Sequence, residues 1–136
     1  MTKINECNLL RLKSVLEPRG NLTFIEGDLD IPFQIKRIYY VYGVPRNGSR
    51  GGHAHRDLEQ LMIALSGSFN IAVDDGKEKK VITLSSPSLG LYIPKMIWSE
   101  MSDFSDSAVF LVLASDHYNE SEYIRNYDEF LKIKGA

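Results

Sequence analysis

Apolar and polar positions alternate with a period of two along most of this chain. That alternation marks strands, whose successive side chains point to opposite faces. In "IKRIYYVYGV", Ile35, Arg37, Tyr39 and Val41 fall on one face, and Lys36, Ile38, Tyr40 and Tyr42 on the other. Short strands are likewise predicted at "NLTFIE", "LMIAL", "FNIAV", "KVITL", "GLYI", "IWSEM" and "AVFLVLA". Turn residues punctuate them at Pro18/Gly20, Pro32, Gly43/Pro45, Gly51/Gly52, Gly67, Pro87, Gly90 and Pro94, and "DDGKEK" has the composition of a hairpin turn. Many short strands with regular turns predict a sandwich or a barrel. Only the C-terminal "NESEYIRNYDEFLKIK" has helical character: Asn119 is the predicted cap, Glu122 its capping-box partner, and Tyr123, Tyr127 and Phe130 share a face. With no repeat, linker or low-complexity segment, the pattern predicts one all-β domain over residues 1–136 with a short C-terminal helix.

Composition narrows the class. A domain of 136 residues buries roughly two-thirds of its unfolded surface and needs neither staples nor a structural metal. Forty-three per cent hydrophobic residues argue against disorder, and a net charge of -2 supplies no general basic field for nucleic acid or anionic membrane. Cys7 is the only cysteine, so an intrachain disulfide and a tetrathiolate zinc site are both excluded. The polar start "MTKINECNLL" and the lack of a long apolar run predict a soluble, cytoplasmic protein.

Candidate chemistry concentrates in "SRGGHAHRDLEQLMIALSGSF". Strand geometry puts His53 and His55 on the same face, behind Gly51 and Gly52. Glycine, H-x-H, Glu59 and Gly67 resemble the first motif of the cupin superfamily, whose jelly-roll barrel such a face lines. Metal-binding cupins carry a third histidine later, in a pattern close to P-x-G-x-x-H. Here Pro94 is present, Met96 stands at the glycine and Ser99 at the histidine. The remaining histidine, His117, lies in a loop after the last strand. Two histidines and a glutamate of uncertain phase make a poor divalent site, so no metal is expected.

Four separated segments, "DIPFQIKRIYY", "RGGHAHRDLEQ", "SPSLGLYIP" and "VLASDHYNESEYIRNYDEF", together resemble the dTDP-4-oxo-6-deoxy-D-glucose 3,4-ketoisomerases, from about Leu9 to Phe130. The resemblance implies a cupin-like antiparallel jelly roll and a homodimer with exchanged N-terminal strands. It implies no cofactor, and a dTDP-linked 4-oxo-6-deoxy sugar as substrate, within dTDP-3-amino-3,6-dideoxy-sugar biosynthesis for lipopolysaccharide O-antigen. By the same resemblance His53 is the base, His55 and Tyr39 assist it, and Arg37, Arg50 and Arg125 stand near the diphosphate or the mouth of the site. Arg19 and Ser99 map to two positions that differ between galacto- and gluco-forming members. Arginine with histidine marks the first group and tyrosine with arginine the second; arginine with serine matches the galacto pattern at one position.

The chemistry suits these residue types. The C3 hydrogen is α to the C4 ketone, and an imidazole titrating near 6.5 is matched to removing it. Oxidation at C3 balances reduction at C4, so no redox cofactor is required. Arginine suits a diphosphate because its planar fork pairs with phosphate oxygens, and a mid-strand Arg37 facing inward needs an anionic partner. Gln60 is expected to hydrogen-bond inside the barrel, and Trp98 is either a core aromatic or a platform for the thymine or sugar. Competing readings are a 3,5-epimerase on the same substrate, a metal-dependent cupin oxygenase, and a non-catalytic sugar-nucleotide-binding module.

Overall fold

The computed structural model describes residues 2–135. Twelve strands and one helix follow in order: β1 (Asn8–Arg11), β2 (Lys13–Glu17), β3 (Gly20–Phe24), β4 (Arg37–Tyr42), β5 (Arg50–His55), β6 (Gln60–Ser66), β7 (Phe69–Asp74), β8 (Lys79–Leu84), β9 (Leu89–Ile93), β10 (Trp98–Ser102), β11 (Val109–Ala114), β12 (Tyr123–Ile124) and α1 (Tyr127–Lys134). They form one five-stranded sheet in the order β1-β9-β6-β11-β4, a second in the order β12-β5-β10-β7-β8, and a separate β2–β3 hairpin. All strand pairings are antiparallel. This is the expected all-β jelly roll with a short C-terminal helix.

The main core lies between the two large sheets. Met62 and Ala64 of β6, Phe69, Ile71 and Val73 of β7, Leu91 of β9, and Phe110 and Val112 of β11 pack together there. Alternation sends Leu61, Ile63 and Leu113 to the outer side of the first sheet, where Leu12, Ile31 and Phe33 cover them. On the outer side of the second sheet, Ala54 and Trp98 pack under Ile124 and Phe130. Helix α1 therefore caps the strand that carries the histidines, on the face away from them.

The C-terminal segment departs from expectation. Asn119 does act as a cap, its side chain accepting from the Ser121 N–H, but the turn it opens is a single 3-10 turn over Glu120–Glu122. The chain then extends as β12 against β5, and α1 begins only at Tyr127, capped by Asn126, whose side chain accepts from the Glu129 N–H. The Glu122 carboxylate is taken up by the Asp57 and Leu58 N–H groups, both at 2.9 Å, in place of a capping box. Closing the β5–β6 turn with a carboxylate leaves β12 to pair by backbone, which wins over local helix propensity. Strands β1 and β2 add to those predicted. No helix among the described residues is long and apolar enough to cross a membrane.

Candidate active site

Strands β4, β5, β6 and β12 bring their inward side chains together at one end of the jelly roll. On β5, Ala54 is fully buried in the outer core, which turns His53 and His55 the other way. Their rings meet edge to face with centroids 4.9 Å apart at 84°. Behind them β5 and β10 pair with a bulge between Ser99 and Glu100, and Ser99 lies opposite His53. Gly51 adopts φ 83°, and a Cβ there would lie 2.8 Å from the Ser99 carbonyl oxygen, so only glycine carries the bulge without strain.

The facing sheet supplies the polar floor. Ala114 of β11 pairs with Arg37 of β4 on one side and Gln60 of β6 on the other, and its small side chain leaves room between them. Gln60 is buried and its Nε2 donates to the Tyr39 hydroxyl at 3.2 Å; the same nitrogen lies 3.4 Å from His55 Nε2. Arg37 lies over the Tyr39 ring at 5.2 Å and over the Tyr118 ring at 5.5 Å. Its Nε is buried without a hydrogen-bond partner, as are Nδ1 of His53 and Nδ1 of His55. Unpaired buried polar atoms of this kind are costly, and a polar ligand relieves the cost.

Electrostatics keep the imidazoles neutral. Burial, the neighbouring His53, and then Arg37 and Arg125 push His55 down to about 3. His53 is also held below 6.5, chiefly by burial and then by Arg125. Burial raises Tyr39 to about 12, so its hydroxyl stays protonated at neutral pH. The arrangement presents an unprotonated base beside a proton-carrying phenol, with an uncompensated guanidinium alongside. No group of three or more His, Cys, Asp or Glu side chains among the described residues is placed to hold a metal ion.

Comparison with known proteins decides the family. The family model described as FdtA: WxcM-like, C-terminal, matches residues 5–135. A TDP-4-oxo-6-deoxy-alpha-D-glucose-3,4-oxoisomerase from Aneurinibacillus thermoaerophilus is 46% identical over 93% of this chain and 91% of its own length. The chain belongs to the FdtA family of sugar 3,4-ketoisomerases. Its FdtA-family relatives of known structure include the 3,4-ketoisomerase from Thermoanaerobacterium thermosaccharolyticum, solved as a His-to-Asn mutant in complex with TDP-4-keto-6-deoxyglucose. That structure is 43% identical with a TM-score of 0.94, covering 97% of this chain and 96% of its own. The TDP-quinovose 3,4-ketoisomerase from Campylobacter jejuni is 48% identical with a TM-score of 0.91, covering 95% and 99%.

For this FdtA-family isomerase, His53, His55, Tyr39, Gln60 and Arg37 converge as the sequence suggested, and Ser99 borders His53 on the adjacent strand. Arg50 opens β5 at the exposed mouth. Arg125 is also exposed, bridging to Glu120 at 2.9 Å with its guanidinium 4.3 Å above the Tyr123 ring. Trp98 and Arg19 are set apart. Trp98 shares the face of Glu100, to which its Nε1 donates, and is buried against Tyr127 and Phe130 on the outer side of β10. Arg19 sits on the exposed β2–β3 turn, paired with Glu17. Two pocket residues escaped the sequence reading, Tyr118 and Tyr123. For Tyr123 the available signal was the second cap sequence, Asn126 followed by Glu129, which moves the helix start past it.

Proposed function

We propose that the protein converts a thymidine-diphosphate-linked 4-oxo-6-deoxyglucose into its 3-oxo isomer, with His53 as the base. The reading is carried by the neutral, half-buried imidazole of His53, whose Nδ1 lacks a protein partner inside the fold. His53 takes the hydrogen from C3, and the electrons move onto the C4 oxygen to give an enediolate. The C4 oxygen then gains a proton as the C3 hydroxyl loses one, and protonation of C4 leaves the ketone at C3 and a hydroxyl at C4. His55, Tyr39 and Gln60 form a hydrogen-bonded array suited to holding the two sugar oxygens as charge passes between them. Arg37, Arg50 and Arg125 receive the diphosphate.

The reaction is proposed as independent of metal, because Ser99 stands beside His53 where a third imidazole would complete a divalent site. It is proposed to run in the cytoplasm on a pathway to 3-amino-3,6-dideoxy sugars. Arg19 favours the galacto product. The Campylobacter jejuni relative is named for quinovose, the gluco series, so overall identity does not choose between them. The assembly is proposed as a homodimer exchanging N-terminal segments. Strand β1 pairs with β9 of its own chain, and the β2–β3 hairpin is the segment left free to cross to a second copy.

The test is NMR of the product formed from dTDP-4-oxo-6-deoxyglucose in deuterated buffer. Deuterium at C4 of a product whose ketone is at C3, and at C3 of the recovered substrate, is expected, unchanged by chelator. Deuterium at C5 with the ketone retained at C4 means a 3,5-epimerase instead. His53→Asn is expected to abolish exchange while nucleotide binding persists; exchange at the wild-type rate removes His53 from the base role.

A further inference from the structure

One aromatic ring in the pocket has no task in the reaction above. Tyr123 pairs in register with His55 across β12 and β5. Its ring centroid lies 4.5 Å from His55 and 4.9 Å from His53, tilted 60° and 64°. The Arg125 guanidinium lies 4.3 Å from the same ring and is tied by two hydrogen bonds to Glu120, at 2.9 and 3.2 Å. Tyr118 lies beside Tyr123 with centroids 5.8 Å apart and rings tilted by 49°, and its hydroxyl also donates to Glu120. Ile124, one residue on, is locked in the outer core with Phe130, so the strand cannot rotate its tyrosine out without exposing that core.

We propose that Tyr123 is a positioning residue: its ring is a wedge that fixes both imidazoles of the base pair and carries the Arg125 guanidinium. The proposal rests on the isomerase reading of the same site. Nδ1 of each histidine lacks a hydrogen-bond partner and only the Gly51 backbone acts on the His53 ring, so ring contact takes over much of the orienting that a carboxylate usually gives a catalytic imidazole. The remaining charged and titratable groups near the pair are Arg37 and Tyr39 from β4, Arg50 from β5 and Glu120 from the 3-10 turn. Burial is the largest cause of the lowered pKa of both histidines and the arginines act in the same direction, so water admitted beside the rings relieves the larger effect and favours their protonation.

The experiment compares Tyr123→Leu, Tyr123→Met and Tyr123→Phe, each confirmed folded by its thermal melt. Removing the ring is expected to lower kcat for C3 exchange by about 100-fold with KM changed by less than about three-fold, the mark of lost geometry rather than lost binding. Tyr123→Phe, which keeps the ring, restores most of that loss. In ring-less variants the imidazole signals of His53 and His55, followed by NMR titration without substrate, broaden and move toward 6.5. A Leu or Met variant with wild-type kcat and unmoved imidazole titrations overturns the proposal. So does Tyr123→Phe failing as badly as Tyr123→Leu, which would make the hydroxyl the working part. If the wild-type protein exchanges no sugar proton, the isomerase reading fails, while the titrations still judge the wedge.

Discussion

Gln60 joins two groups that the fold holds in different protonation states. Its amide donates to the Tyr39 hydroxyl and touches His55 Nε2, linking a phenol held protonated to an imidazole held neutral. Gln60→Leu preserves the volume and removes both contacts. Exchange at C3 is expected to fall about ten-fold, the kinetic equivalent of one hydrogen bond of about 1.4 kcal/mol. Steady-state rates at saturating substrate measure it, and an unchanged kcat would reduce Gln60 to packing. The depressed pKa of His55 also makes a stability statement. The folded form stays unprotonated down to about 3, whereas the unfolded chain binds a proton near 6.5. Stability conferred above 6.5 is therefore lost as pH falls, by up to about 1.4 kcal/mol per unit for this group. Denaturant unfolding at pH 7 and pH 5 should show that loss, and His55→Gln should flatten it. A native protein as stable at pH 5 as at pH 7 contradicts a buried neutral His55. The same logic places the acid limb of the exchange rate below 6.5, since burial lowers His53 too.

At the level of elements, β5 depends on two glycines that do unequal work. Both have positive φ, but a Cβ on Gly51 meets the Ser99 carbonyl oxygen at 2.8 Å, whereas one on Gly52 meets nothing within 4 Å. Gly51→Ala is expected to cost roughly 2 kcal/mol or more and to displace His53, and Gly52→Ala only about 1 kcal/mol from the backbone conformation alone. Urea midpoints rank the two, and equal losses would remove the close approach from the explanation. Much of this strand was legible, because a period of two fixes H-x-H to one face whatever the partners are. The facing of Arg37 and Tyr39 was read the same way and holds. Strand β12 was not legible: two residues are too short to show a period, and Asn119 gave a true cap signal for a turn that stops after three residues. Strand β2 was hidden for another reason. Both faces of the hairpin are exposed, so burial imposes no alternation on "KSVLE". Trp98 resisted assignment because its face is set by the pairing of Ser99 with His53, between strands distant in sequence, which the chain does not reveal on its own.

For the whole molecule, the exposed apolar surface is unusual for a monomer. Leu16 is 74% exposed and Tyr42 70%, joined by Val15 and Leu22 as a cross-strand pair on the hairpin and by Ile38 and Tyr40 on the outer face of β4. Surface of this extent is commonly covered by another chain. An isologous dimer formed through it would carry the hairpin turn, and Arg19 with it, toward the second copy. Val15→Asp combined with Leu22→Asp should therefore halve the mass seen by sedimentation equilibrium. A second measurement asks whose pocket Arg19 serves. His53→Asn and Arg19→Ala are each expected to be impaired as pure proteins. When the two are unfolded and refolded together in equal amounts, half the dimers are mixed. If hairpins cross between copies, each mixed dimer holds one site with both His53 and Arg19, and activity recovers to about one quarter of wild type. If Arg19 acts within its own chain, no mixed dimer contains an intact site, and the refolded mixture is no more active than the average of its parents.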